Sequence, residues 1–237
     1  MSPLPRRLLA ELLGSAFLAA LVIGSGIAAQ TLSPGDLGLE LFENAAATAA
    51  GLFAIVLTFG PVSGGHFNPA VSLADAALGG LSWRDALAYV PAQVSGCIVG
   101  AISANGMFEL AAVSISTHHR ASGAHLLSEA IATAGLLLVI FALARTKRTG
   151  SAPAAVGAYI GAAYFFTSSS SFANPAITVA RTLSNSFAGI APASVPAFVL
   201  AQLIGAAAGI VAVKSLYPEM APADARDVVL PHRLQDG

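Results

Sequence analysis

Long apolar runs alternate with short polar breaks along nearly the whole chain, and charged residues sit almost entirely in the breaks. Six runs are long enough to be membrane spans, at about 8–29, 40–60, 84–104, 125–145, 150–167 and 191–213, because roughly 20 apolar residues cross a bilayer core. The fifth run is short and glycine-rich. Two further apolar segments, about 69–79 and 175–187, have the length of a re-entrant segment rather than a crossing. Each follows the same triplet, Asn68-Pro69-Ala70 and Asn174-Pro175-Ala176. Asparagine is a favoured N-cap and proline is favoured at the first helical position, so each triplet predicts the start of a short helix. Two half-helices beginning inside a membrane aim two positive dipole ends at one place. Such a lining repels cations and hydrogen-bonds a neutral solute. One triplet is ordinary capping, whereas two in matched contexts point to a shared site.

The two halves of the chain resemble each other. Leu8-Leu9-Ala10-Glu11 matches Leu126-Leu127-Ser128-Glu129, 118 positions on. The triplets match at a separation of 106, and Ala92-Gln93 with Gly96 and Gly100 matches Ala201-Gln202 with Gly205 and Gly209 at 109. The order is the same in both halves, so insertions fall in loops. The expected organisation is one channel domain over residues 1–216, with a first repeat over about 6–106, a second over about 125–215, and a cytoplasmic tail over 217–237. Three spans per half is an odd number, so the second copy enters the membrane upside down, a recurrent transport architecture. The fold class expected is therefore all-α and membrane-embedded: six transmembrane helices plus two re-entrant half-helices in an inverted three-helix repeat. The Gly-xxx-Gly pairs allow helix backbones to approach closely.

Composition agrees. Of 237 residues, 56% are hydrophobic and 10% charged, against about 25% charged in soluble domains. The net charge of −1 gives no reason to expect a nucleic-acid partner. A single cysteine, Cys97, cannot form an intrachain disulfide. Arg6-Arg7 before an apolar run resembles a signal peptide, but the run from Leu8 is too long for one and is needed to complete the first repeat. Arg6, Arg7, Arg84, Arg145, Lys147, Arg148, Lys214, Arg226 and Arg233 fall at one set of span ends, and Arg120 and Arg181 at the other. The positive-inside rule then places both termini in the cytoplasm. Glu11 and Glu129 lie inside spans, where a carboxylate is costly. Two readings are open: proton coupling, or acceptance of hydrogen bonds from the irregular backbone of a re-entrant loop. No catalytic constellation and no cofactor or metal site is visible; His118-His119 has neither carboxylate nor cysteine nearby.

With Ser63-Gly64-Gly65-His66-Phe67-Asn68-Pro69-Ala70-Val71, Asn174-Pro175-Ala176, the two membrane glutamates and the inverted repeat, the chain resembles the aquaporin, or major intrinsic protein, family over about residues 6–215. The resemblance implies a homotetramer in the inner membrane with one pore per subunit, passing small neutral solutes. It implies that the amides of Asn68 and Asn174 donate to the passing solute. It also implies an acceptor ladder of carbonyls from Gly64, Gly65 and His66 and from 168–173. His66 either lines the cytoplasmic vestibule or braces its loop.

The resemblance breaks at the filter. Most of the family carry arginine directly after the second triplet, where this chain has Ile177. Thr48 stands at the second-span position, where water-selective members have phenylalanine, and Ser171 at the loop position. The fifth-span position is Ala162 counted back from Asn174, or Tyr164 aligned from Ser151-Ala152-Pro153. Such a filter is expected to be wide and uncharged, passing bulkier neutral hydroxylated solutes such as glycerol-like polyols without favouring water over them. Arg181, one helical turn beyond Ile177, either reaches the outer vestibule as a displaced filter arginine or snorkels to the interface. The pattern Phe172–Arg181 resembles bacterial members linked to arsenic resistance, which implies neutral metalloid acids such as arsenous acid as solutes. A different class of function, an ion- or proton-coupled transporter using Glu11 or Glu129, predicts gradient-dependent flux.

Overall fold

A computed structural model describes residues 2–218, and the expected tail beyond Pro218 lies outside the described residues. The described chain is helical, with α1 (Leu4–Leu32), α2 (Leu37–Ser63), α3 (Pro69–Leu78), α4 (Trp83–Met107), α5 (Gly123–Arg145), α6 (Ala152–Phe166), α7 (Pro175–Ala180) and α8 (Val195–Leu216). The starts follow local chemistry. Asp36, Ser82 and Ser122 cap α2, α4 and α5 through their side chains, and proline occupies the first turn of α1, α3, α6, α7 and α8.

Five helices, α1, α2, α4, α5 and α8, are long and apolar enough to cross a membrane. The predicted fifth span is α6, 15 residues long and preceded by a 3-10 turn over Thr149–Ser151. At about 1.5 Å per residue it is the shortest full member of the bundle. The half-helices are α3 and α7. The second is shorter than the 175–187 expected: α7 ends at Ala180 and a 3-10 turn continues it only to Leu183. Its last carbonyls are claimed from outside. Ser116 N–H donates to Thr182 O and Ser114 N–H to Leu183 O, both at 2.9 Å, and Asn105 Nδ2 also donates to Leu183 O at 2.9 Å. A longer helix would leave the connecting segment's donors unmatched.

The halves correspond as α1/α5, α2/α6, α3/α7 and α4/α8. Within them α1 packs on α4 and α5 on α8, α2 meets α6 across the middle, and the half-helices lie inside, each also touching the other half. Exposed apolar side chains such as Phe17, Leu57, Leu127, Phe166 and Ile204 cover the outside, as expected of a surface that faces lipid.

The small-residue motifs set the tightest helix pairs. A Cβ on Gly96 would lie 2.2 Å from Leu12 O and one on Gly100 2.1 Å from Ala16 O. In the second half Gly205 meets Ala130 O at 2.3 Å in the same sense. Gly100→Val should therefore push α1 from α4, at a cost of about 1–3 kcal/mol, read as a lower thermal midpoint and yield in detergent. Gly106→Ala, where a Cβ meets nothing within 4 Å, should leave both unchanged. Equal behaviour of the two variants would refute close packing as the role of the motif.

Candidate functional site

Each half-helix is preceded by a loop that no regular ladder satisfies. Gly64, Gly65 and Phe67 have φ of 95°, 65° and 49°, and Ser170, Ser171 and Ala173, each 106 positions on, have 58°, 47° and 46°. Non-glycine residues in this left-handed region are uncommon and cost of order 1 kcal/mol or more each. The second loop bears that cost at three positions, the first at one.

The buried glutamates hold these loops. Glu11 Oε1 accepts from Ser63 Oγ at 2.6 Å and His66 N at 3.1 Å, and Oε2 from Phe67 N and Gln93 Nε2, both at 2.7 Å. Glu129 repeats this with Ser169 Oγ at 2.6 Å, Phe172 N and Ala173 N at 2.9 Å, and Gln202 Nε2 at 2.6 Å. Each glutamine donates onward, Gln93 to Ser72 Oγ at 2.9 Å and Gln202 to Thr178 Oγ1 at 2.8 Å. Both glutamates are fully buried. With four donors converging on it, each carboxylate is fully engaged as an acceptor by its loop and a neighbouring glutamine.

The two loops meet at the asparagines. Asn68 Oδ1 accepts from Ala70 N and Asn174 Oδ1 from Ala176 N, both at 2.9 Å. Each amide nitrogen then crosses to the other loop: Asn68 Nδ2 to Ala173 O and Asn174 Nδ2 to Phe67 O, both at 2.8 Å. An amide nitrogen carries two hydrogens, so one locks the loops together and the second remains. Both asparagines line a narrow cavity of about 60 Å³; one water needs roughly 10–15 Å³. Of the expected acceptor ladder, Gly65 and His66 line the cavity, while Ala173 O accepts from Asn68; Phe67 O, outside that expectation, accepts from Asn174.

The predicted filter residues converge on this cavity. Thr48, Tyr164, Ser171 and Ile177 all line it, and Thr48 Oγ1 lies 3.2 Å from Tyr164 Oη. Tyr164 is thus the fifth-span residue at the cavity; Ala162 faces outward and is exposed. A charged side chain lines the cavity beside Ile177 and Thr48. Arg181 is 2% exposed and lines the same cavity, its Nε donating to Ala188 O and its Cζ 3.4 Å from the centre of the Phe172 ring. Snorkelling to the interface is excluded by that burial. His66 lines the cavity, and its Nδ1 lies 3.0 Å from Ser72 Oγ with Nε2 3.6 Å from Asp75.

Sequence reasoning missed the bracing serines and threonine, Phe172, Asp75 and Arg120. Applying the separation of 106 to every position around the triplets would have paired Ser63 with Ser169, Ser72 with Thr178, and Asp75 with Arg181.

Two inverted halves whose half-helices meet at paired capping asparagines define the aquaporin class of membrane bundle. The chain belongs to the major intrinsic protein family, which matches residues 2–171. It is 49% identical over 203 residues to aquaglyceroporin AqpS of Rhizobium meliloti (strain 1021), covering 86% of each chain. It is 41% identical over 108 residues to aquaporin-9 of Homo sapiens, covering 45% of this chain but 36% of that one. The solved aquaglyceroporin from Plasmodium falciparum superposes with a TM-score of 0.68 over 94% of this chain and 99% of its own, at 19% identity, a likeness of fold.

Glu11→Gln and Glu129→Gln each set an amide N–H₂ against donors that now face an oxygen. Each should cost about 2 kcal/mol or more, seen as reduced folded yield and thermal midpoint, and neither should alter any response to a proton gradient. A wild-type proton-gradient response that Glu11→Gln abolishes would give the glutamates to coupling instead.

Proposed function

We propose that this protein is a passive channel for small neutral solutes: glycerol-like polyols, neutral metalloid acids such as arsenous acid, and water. The observation that carries the reading is the cavity threaded between Asn68 and Asn174 and continued past Thr48, Tyr164, Ser171 and Ile177. Its wall offers hydroxyl and amide groups beside apolar side chains and, among the described residues, no carboxylate. Selectivity in such a pore follows diameter, lining donors and electrostatic barriers. Asn68 and Asn174 donate to the solute with their second amide hydrogens. Thr48, Tyr164, Ser171 and Ile177 form the constriction, and Arg181 supplies the charge that the usual arginine would carry. That charge opposes cations more directly than the dipole of the six-residue α7.

The working protein is a homotetramer of single-domain pores in the inner membrane, with both termini in the cytoplasm. The tetramer follows the resemblance, and the orientation follows the clustering of basic residues at one set of helix ends. Likeness to an aquaglyceroporin over 86% of the chain supports the choice of polyols; the metalloid acids rest on the Phe172–Arg181 pattern.

Stopped-flow light scattering on proteoliposomes, comparing water, glycerol and arsenous acid, tests this reading. Uptake should be saturation-free, and a proton or sodium gradient should not change it. Asn68→Asp and Asn174→Asp should each cut flux at least several-fold, because a carboxylate oxygen would face Ala173 O or Phe67 O where an N–H now donates. Full flux in correctly assembled variants would remove the triplets from the pathway.

Ile177→Arg places a second guanidinium one turn from Arg181 and fills the space above the asparagines. Glycerol and arsenous acid flux should fall several-fold and water flux less, and adding Thr48→Phe should deepen the loss. If the double variant passes the larger solutes at the wild-type rate, Ile177 does not line the constriction.

A further inference from the structure

Two arginines at the α7 end of the cavity, Arg181 buried within it and Arg120 partly buried beside it, have no acid between them. Among the described residues the ion pairs are Arg7 with Asp85 and His66 with Asp75, so neither Arg181 nor Arg120 meets a carboxylate. Glu129 is the nearby acid, and its oxygens are already occupied by Ser169, Phe172, Ala173 and Gln202. The arginines share what little compensation exists. Arg181 Cζ lies 3.4 Å and Arg120 Cζ 5.5 Å from the centre of the Phe172 ring. Three consecutive carbonyls of one loop take their N–H groups: Phe187 O and Gly189 O from Arg120 Nη2 and Nε at 2.9 and 2.8 Å, and Ala188 O from Arg181 Nε. A ring face and three carbonyls are partial compensation for one buried and one partly buried charge, and a buried charge ordinarily needs a counter-ion. Burial pulls the Arg120 guanidinium below its ordinary value, although Glu129 and Tyr164 pull it back, as expected for a charge short of a partner.

The donors left over point to what would complete the group. Arg181 uses one of its five N–H groups on the protein. Its terminal nitrogens have no protein acceptor among the described residues, and the side chain lines the cavity. Ser171, 3% exposed and lining the same cavity, has a hydroxyl with no partner at all. We propose that Arg181, Ser171 and Arg120, gathered around Phe172, form a binding site for a small monoanionic oxygen acid of the carboxylate class at the outer mouth of the pore. A planar carboxylate matches the guanidinium fork with two parallel bonds, and a cavity of about 60 Å³ admits only a small one. Bound there, the anion sits in the path of neutral solutes and slows them from the outside. That consequence rests on the channel reading, whereas the binding itself does not.

Trifluoroacetate, fully ionised at neutral pH, serves as the probe. Fluorine NMR titration of the purified full-length protein in detergent should show saturable line broadening that acetate reverses. Arg181→Gln should weaken binding roughly tenfold or more, the worth of a bidentate charge-assisted contact. Arg120→Gln should weaken it several-fold, and Arg181→Lys, which keeps charge but not the fork, should fall between wild type and Arg181→Gln. Arg84→Gln, at the opposite end of the molecule, should bind as wild type does. Retention time and helix content verify that each variant is folded; Arg120→Gln carries the comparison if Arg181→Gln is not. In proteoliposomes, external trifluoroacetate should slow glycerol entry. No saturable binding to the wild type, or equal binding by folded Arg181→Gln or Arg120→Gln, overturns the site. Saturable binding without any glycerol flux instead overturns the channel and leaves the site standing.

Discussion

Backbone inside a membrane cannot leave its donors bare, and the two loops before the half-helices carry donors that no helix satisfies. Glu11 and Glu129 resolve this. Each collects two loop N–H groups, a serine hydroxyl and a glutamine amide. The rest of the site depends on that collection. It holds Phe67 and Ala173 in left-handed conformations, which turn their carbonyls toward the opposing asparagines. The same geometry leaves one hydrogen of each amide for the cavity.

The two halves are equal in this scaffold and unequal at the ends of the cavity. Positions 106 apart hold identical or similar groups where they brace the loops, as in Ser63 and Ser169 or Ser72 and Thr178. They diverge at the two ends of the cavity. His66, which lines it, corresponds to Phe172, and Asp75, behind His66, corresponds to Arg181. One end therefore carries a histidine beside an acid at 3.6 Å, and the other an aromatic ring beneath an arginine at 3.4 Å. A duplicated fold keeps its symmetry where backbone must be satisfied and loses it where the two compartments differ.

Ile177 stands directly after the second triplet, and a buried guanidinium comes one turn later, at Arg181. Ile177 and Arg181 are one turn apart, and both line the cavity. The Arg181 guanidinium lies there because Phe172 supplies a face for it and Ala188 supplies a carbonyl. Tyr164 lines the cavity beside Thr48, its hydroxyl 3.2 Å from Thr48 Oγ1.

The sequence by itself determined the helical membrane class, the repeat, the half-helix starts and the residues that cap them. Those features rest on local chemistry: run length against bilayer thickness, asparagine and proline at a helix start, glycine where backbones must touch. The intramembrane glutamates were legible as a pair, because an unexplained buried charge is costly wherever it occurs. Only the tertiary structure decided what those charges bind and which of Ala162 and Tyr164 faces the cavity. It also stopped α7 at Ala180, since the carbonyls that would extend it are bonded to the segment around Ser114 and Ser116, 68 positions or so away in the chain. Arg181 is the plainest case. Its two readings differ only in whether something inside the bundle can receive a guanidinium. The ring of Phe172 and the carbonyl of Ala188 that receive it come from loops whose placement no local pattern encodes.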